Sequence, residues 1–261
     1  MATGTADQWR RRASAWRQTA VAALVAAAVW SGGGLPARAA DVEPVARWGF
    51  DAEETSRLVS HGGVHRDEPG PRPPEFPDAD PGNLAVRLDG AGSHFAFADP
   101  GARSPLDFAN GDAITLEAWV NLADLKRNEN AYVVSKGRTG AAGFAKDNQN
   151  WALRVREENG QARVSFLFAT PPAGKGVDGT KGAGAKVATA DDAVAKGVAA
   201  KGAHWHRWTT TAGFPAVGQW HHVAVGYRFG DPDSVRGWVD GKPTGGGWDM
   251  GGPTREPPVV D

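Results

Sequence analysis

Residues 151–169, "WALRVREENGQARVSFLFA", alternate apolar and polar side chains on either side of a single Asn-Gly pair. Asn159 and Gly160 readily adopt the two positive φ angles that a two-residue type I′ turn needs. In an extended chain, successive side chains point to opposite faces. One face of such a hairpin would carry Trp151, Leu153, Val155, Ala162, Val164, Phe166 and Phe168. The stretch therefore predicts a β-hairpin with one buried face.

Shorter segments with the same period of two recur along the chain, each bounded by Gly, Pro, Asn or Asp. They cover residues 45–51, 84–90, 93–97, 113–122, 131–137, 219–229 and 236–243. No window after residue 39 keeps a helical period of 3.6 over eleven residues. Many short alternating strands with frequent turns predict an all-β, antiparallel sandwich or barrel.

The N-terminus has the composition of a secretory signal peptide. Four arginines lie between residues 10 and 17, a short apolar run follows at 19–29, and "ARA" at 37–39 is a small-x-small cleavage site. We expect residues 1–39 to be removed and residues 40–261 to be secreted or periplasmic, with no membrane attachment after cleavage. An uncleaved anchor is the alternative, and the arginine pair allows either Sec or twin-arginine export.

Charge and cysteine content exclude several classes of function. The net charge is −1, and the basic leader accounts for part of the positive charge, so the remainder is more acidic and has no basic stripe. This balance argues against nucleic acid as a partner. The chain has no cysteine, which excludes disulfides, thiolate metal sites and a cysteine nucleophile.

Two segments break the alternating pattern. Residues 65–83 are rich in proline, and we expect a surface loop there because proline cannot donate to a strand ladder. Residues 171–203 are a low-complexity Gly/Ala/Lys tract with few large apolar side chains. Such a composition favours disorder, and we interpret the tract as an insertion in a loop at the rim of the sandwich.

The order of the strand-like segments resembles that of laminin-G-like, concanavalin-A-like domains. The resemblance is carried by "RWGFD" (47–51), "LAVRLDG" (84–90), "ITLEAWVNL" (114–122), "YVVSKG" (132–137), "WALRV" (151–155), "QWHHVAV" (219–225) and "GWVDGKP" (237–243). It implies a two-sheet antiparallel jelly roll of the kind found as modules in large secreted bacterial proteins. Family members continue with further strands where this chain ends at "EPPVVD". We therefore expect a domain truncated at its C-terminus, so that residues 40–261 alone fold poorly or associate.

The histidines are the first candidates for chemistry. His221 and His222 are adjacent, so on a strand they point to opposite faces and cannot easily chelate one ion. The resemblance implies a structural role for them. His204 and His206 would share a face and could bind zinc with a third ligand. No carboxylate stands at a supporting spacing, so we predict no metal site.

Catalytic alternatives are poorly supported. Glycosidases need a pair of carboxylates placed as nucleophile and acid. Glu117 is alone on its strand, and Glu157 and Glu158 are adjacent at a turn, where solvation explains them. Nucleophile-elbow, P-loop and dinucleotide-binding glycine motifs are absent. We therefore predict that the chain is not an enzyme.

Calcium remains an open alternative among cofactors, of which we otherwise expect none. The resemblance implies a calcium ion at a loop rim, and "KDNQNW" (146–151) offers Asp147, Asn148 and Asn150 just before a strand. A plain turn stabilised by an Asn or Asp side chain explains the same residues.

The leading hypothesis is a non-catalytic binding or adhesion module for a glycan or a protein surface. Specificity would lie in loops at the rim, because loops on a rigid sandwich can vary. "HWHRW" (204–208) supplies the candidate ligand-binding residues Trp205, His206 and Trp208, since aromatic rings stack on sugar faces. A structural spacer in a larger secreted enzyme is the first alternative, and a divergent glycoside hydrolase is the second.

Overall fold

The computed structural model describes residues 44–50, 58–99, 101, 104–126, 129–138, 148–171, 204–215 and 217–260. Within these ranges the chain forms thirteen strands and no helix. The predicted leader lies outside the described residues, and so does the predicted insertion apart from Pro171.

The strands form four antiparallel groups. Their bounds are β1 (Val59–His61), β2 (Val64–Pro69), β3 (Leu84–Leu88), β4 (His94–Ala96), β5 (Ala113–Asn121), β6 (Asn130–Lys136), β7 (Trp151–Glu158), β8 (Gln161–Thr170), β9 (His204–Pro215), β10 (Trp220–Arg228), β11 (Asp231–Val239), β12 (Lys242–Thr244) and β13 (Gly246–Met250). One sheet has the order β12-β11-β10-β5, and a larger sheet has the order β13-β9-β8-β7-β6. Two small pairs, β1 with β4 and β2 with β3, complete the described architecture. The prediction of an all-β chain built from antiparallel sheets is confirmed for the described residues.

The Asn-Gly hairpin forms as predicted. Asn159 and Gly160 have φ angles of 55° and 80°, and they connect β7 to β8. Leu153 lies opposite Phe166 in the resulting ladder. The turn therefore sets a register that keeps the apolar residues of both strands on one face.

A hydrophobic cluster joins the two larger sheets, which gives the described part of the chain its sandwich-like character. Phe166 of the five-stranded sheet and Tyr227 of the four-stranded sheet have ring centroids 5.4 Å apart. Leu153, Val164, Phe166 and Val225 are completely buried. The period of two in the sequence predicts that the apolar residues of β5, β7, β8 and β10 lie on the inner faces of the sheets. These residues belong to the cluster, which confirms the prediction.

The predicted strand at 45–51 is wrong for the residues the structure describes there. Residues 44–50 have no strand structure. Phe50 has a φ angle of 59°, outside the extended region, and Trp48 instead packs its ring 5.5 Å from that of Phe97. The apolar residues of this segment are therefore used in packing without entering a ladder.

The prediction of a loop over 65–83 is wrong for its first five residues, which belong to β2 and pair with β3. The pairing contains a bulge between His65 and Glu68, where Asp67 has a φ angle of 60°. Pro69 is the last residue of the strand, a position at which a missing backbone donor matters little.

Candidate functional site

Strand β9 contains all three predicted ligand-binding residues but divides them between the two faces of its sheet. Phe166 lies opposite Trp208, and Phe168 lies opposite His206, so these two predicted residues point into the core. Trp205 points the other way, to the side that we call the outer face of the five-stranded sheet. The structure therefore does not bring the three side chains together on one surface.

His206 is held by the core. It is 6% exposed and stacks on Phe168 at 5.4 Å. Its Nδ1–H donates to the carbonyl oxygen of Gly252 at 2.9 Å, and Nε2 lies 3.3 Å from the hydroxyl oxygen of Thr170. Both ring nitrogens have protein partners, which is the arrangement of a structural histidine.

Trp208 fills a slot between glycines. The residue is 4% exposed. A β-carbon on Gly246 would overlap its indole ring, and one on Gly237 would lie 2.9 Å from it. Trp208 therefore contributes mainly to core packing.

Trp205 lines an open cleft of about 370 Å³ on the outer face. Among the described residues, the cleft is lined by Arg138, Arg154, Leu167, Trp205, Arg207 and Met250. The guanidinium carbon of Arg138 lies 4.9 Å from the centre of the Trp205 ring, within the range of a cation–π contact. The volume of the cleft is at the lower end of the roughly 300–1,000 Å³ typical of small-molecule sites.

A tight turn brings Arg138 to the cleft. Gly137 has a φ angle of 89°, and a β-carbon there would overlap the backbone oxygen of Asn148. The backbone N–H of Arg138 donates to Asn148 Oδ1 at 2.8 Å. Arg138 itself has a φ angle of 54°, which is uncommon for a residue with a side chain. Such a conformation persists only where the surroundings impose it.

Arg154 is the buried cation of the cleft. The residue is 6% exposed, and its guanidinium carbon lies 5.3 Å from the centre of the Tyr132 ring. Its contact with the Ser165 hydroxyl is long, at 3.5 Å, and within the described part of the chain its Nε has no hydrogen-bond partner. Burial lowers the pKa of Arg154, although the Tyr132 hydroxyl opposes that effect. The side chain keeps its charge at neutral pH because its ordinary pKa is so high.

Tyr132 and Asp249 organise the two other arginines. Arg138 donates through Nη1 to the Tyr132 hydroxyl at 3.1 Å, so the same tyrosine contacts both Arg138 and Arg154. Arg207 donates through Nε to Asp249 at 2.7 Å, and Thr209 also donates to that carboxylate. The charge of Arg207 is therefore compensated within the protein.

The pair His221 and His222 splits between the faces of β10, as adjacent strand residues must. His221 lies 2.9 Å through Nδ1 from Asp240 and packs on Phe214 at 4.3 Å. His222 lies outward, with Nε2 3.5 Å from Glu117. The two rings do not share a site.

The described residues contain no group of three or more His, Asp or Glu side chains able to hold a metal ion. Of the residues considered for calcium, Asp147 lies outside the described ranges. Asn148 is buried, and its Oδ1 accepts from the Arg138 backbone. The carboxylates considered for glycoside hydrolysis are separated as well: Glu117 is on β5, whereas Glu158 pairs with Arg163 on the other sheet.

The cleft arginines were not among the predicted site residues, although part of the signal was present. Alternation in 151–156 already placed Arg154 on the face opposite the core. The sequence pattern does not indicate the direction of the Arg138 side chain, because a left-handed turn after β6 determines it. Arg207 lies between His206 and Trp208 in the sequence, and its position alone does not distinguish it from other arginines on strands.

In the part of the chain that the structure describes, no helix has the length and apolar character needed to cross a membrane. Comparisons with protein-family models, with curated proteins and with solved structures gave no match to this chain.

Proposed function

We propose that the chain is a non-catalytic, extracytoplasmic binding module, and that its outer-face cleft binds a glycan. The observation that carries this proposal is the packing of Arg138 on Trp205 at the edge of an open 370 Å³ cleft. An aromatic ring beside fixed hydrogen-bond donors is a common way to hold a sugar, because the ring contacts its apolar face and the donors meet its oxygens.

The chemistry of the lining favours binding over catalysis. The ionisable groups among the described lining residues are three arginines, and arginine does not give up its proton in proteins. General acid–base catalysis requires a group that changes its protonation state near the working pH. The cleft can therefore orient a ligand but has no described group to transfer a proton to it.

The two large antiparallel sheets with a shared core support a jelly-roll type of sandwich, in keeping with the laminin-G-like resemblance. Export rests on the signal-like composition of residues 1–39. Together these features favour a secreted or periplasmic module that presents one sheet face to its ligand.

A glycan array probed with the full chain tests the proposal. We expect binding to a subset of glycans, loss of that binding in Trp205→Ala, and retention in Trp119→Ala. Trp119 is a suitable control because it is 44% exposed and lies on the other sheet. Equal loss in both variants, with both folded by circular dichroism, would place the ligand elsewhere. No glycan bound by the wild-type chain would favour the structural-spacer alternative.

A further inference from the structure

We propose that the cleft recognises the acidic group of a sugar, a carboxylate or a sulfate, between the guanidinium groups of Arg138 and Arg154. This inference rests on the proposed glycan-binding function and adds the charge class of the glycan. Three features carry it: a buried arginine with no carboxylate partner among the described residues, an exposed arginine held by a constrained turn, and an aromatic ring beside them.

Arg154 is more than nine-tenths buried and has no carboxylate within ion-pair distance among the described residues. Burying a charge is costly unless it is paired and hydrogen-bonded. The ring and hydroxyl of Tyr132 and the long contact to Ser165 compensate only part of this cost, and Nε has no partner among the described residues. A ligand anion would provide the missing partner.

The outer face has an excess of positive charge among its described residues. Arg207 pairs with Asp249, and Arg163 pairs with Glu158. The arginines of this face without a described carboxylate partner are Arg138, Arg154 and Arg156. The strand register adds electrostatic repulsion, because Arg156 lies directly opposite Arg163 and like charges in that position repel. An anion bound over this face would relieve the repulsion.

Arg138 can complete a two-arginine clamp. Its backbone is fixed by Gly137 and Asn148, so little conformational freedom is lost on binding. Only one of its five N–H donors is used by Tyr132 in the described contacts. The planar guanidinium group matches two oxygens of a carboxylate or sulfate at once, which a lysine cannot do.

The surroundings favour an acidic sugar over an acidic peptide. Trp205, Leu167 and Met250 give the cleft an apolar wall next to its arginines. A sugar ring that carries its acidic group presents an apolar face and an anion within a few ångströms. A flexible peptide carboxylate would use the arginines and leave that wall without a partner.

Isothermal titration calorimetry with the full chain tests the charge class. The probes are trigalacturonic acid, its fully methyl-esterified form, a sulfated disaccharide of the chondroitin type, neutral cellotriose and triglutamate. We expect binding of the acid or of the sulfated sugar, weakening at high salt, and at least tenfold weaker binding of the methyl ester. The relative affinities of the first and third probes distinguish carboxylate from sulfate.

Paired variants separate a binding role of Arg154 from a structural one. Arg154→Met removes the charged guanidinium group and keeps an unbranched apolar side chain in place of the arginine stem. It should weaken acidic-sugar binding roughly 10- to 100-fold, as expected for hydrogen bonds to a charged group. The melting temperature should stay equal or rise, because a buried charge with no described carboxylate partner is removed. Arg163→Met, on the same face but outside the cleft, should change binding less than twofold. Arg138→Met, at an exposed position, should also weaken binding, and it remains informative if Arg154→Met does not fold.

The outcomes distinguish this inference from the proposed function. Equal affinity for the acid and its methyl ester, with loss in Trp205→Ala, would overturn the acidic-sugar inference and leave glycan binding standing. Binding of triglutamate in preference to every sugar would overturn both and indicate a peptide ligand. No binding of any probe here, with glycan binding on the array, would overturn the inference alone. A lower melting temperature with unchanged affinity in Arg154→Met would assign Arg154 to stability.

Discussion

The indole ring of Trp208 lies so close to Gly246 that a β-carbon on residue 246 would overlap it. The contact joins β9 to β13, the strand at one edge of the five-stranded sheet. A tryptophan of the core thus requires a glycine on its neighbouring strand.

We expect Gly246→Ala to lower the free energy of unfolding by about 1–3 kcal/mol, because the core must shift to admit the methyl group. Denaturant titration followed by tryptophan fluorescence measures the effect. Gly247→Ala is the matched control, since a β-carbon there meets nothing within 4 Å. Its effect should stay within about 0.5 kcal/mol. Similar losses in both variants would contradict the role assigned to Gly246.

Asp240 connects the β11–β12 turn to β10. Its carboxylate accepts from His221 Nδ1 and from the backbone N–H of His222, and its φ angle is 50°. We expect Asp240→Ala to cost about 1–3 kcal/mol of stability, because it leaves the largely buried His221 without this partner. Asp240→Asn should cost less, since asparagine keeps an acceptor oxygen and tolerates positive φ. Urea unfolding of the two variants makes the comparison, and a larger loss in the asparagine variant would contradict it.

Lys136 pairs with Asp99 at 3.1 Å and with Asp107. Burial alone would raise the pKa of Asp99, but hydrogen bonds from Ser104 and Gly101 and the Lys136 ammonium group outweigh it, so the pKa is lowered. Burial alone would lower the pKa of Lys136, but Asp107 and Asp99 outweigh it, so this pKa is raised.

The two shifts define a pH window for this ion cluster. A lowered carboxylate pKa gives stability that is present above about pH 4 and lost as pH falls through the folded-state pKa. A raised lysine pKa gives stability that is present below about pH 10 and lost as pH rises through the folded-state value. Lys136→Met should therefore lower stability most between these limits, by about 3 kcal/mol. Unfolding measured against pH checks this, and a pH-independent difference would exclude the ion cluster as its cause.

Burial raises the pKa of Tyr227 from 10.0 to about 12, and Asp231 adds to the effect. The chain has two tyrosines, so Tyr132→Phe leaves Tyr227 as the sole phenol. We expect the phenolate absorbance of that variant to titrate with a midpoint near 12 when folded and about 10 in denaturant. Because the folded state holds this proton more tightly, the resulting stability is complete below pH 10 and declines as pH rises toward 12. A folded-state midpoint near 10 would show that the ring is solvated.

Much of the sandwich was predictable because burial on one side of a sheet imposes a period of two. That signal is strong in β7 and β8, where Phe166 and Leu153 lie opposite each other in the core. It gives no signal for β13, because Gly246 and Gly247 leave only three side chains to define a period. Phe50 shows the opposite failure: an apolar residue in an alternating segment turns into a positive-φ conformation and joins no strand.

The cleft was less predictable, because its parts are distant in the sequence. Arg138 follows β6 and Trp205 belongs to β9, and two further strands lie between β6 and β9 in the sheet. Which faces meet depends on sheet order, and periodicity carries no information about sheet order. Arg138 also depends on a left-handed turn whose geometry only the Gly137–Asn148 contact explains.

The pairing of β5 with β10 has a consequence for the order of folding. Ile114 lies opposite Tyr227 in this ladder, so the four-stranded sheet joins residues far apart along the chain. The β7–β8 hairpin closes through two residues and needs no distant partner. Loop-closure entropy must be overcome before long-range pairs gain any contact energy. The hairpin should therefore serve as an early nucleus, and the rate-limiting step should be the arrival of β5 at an edge that the later strands have already built.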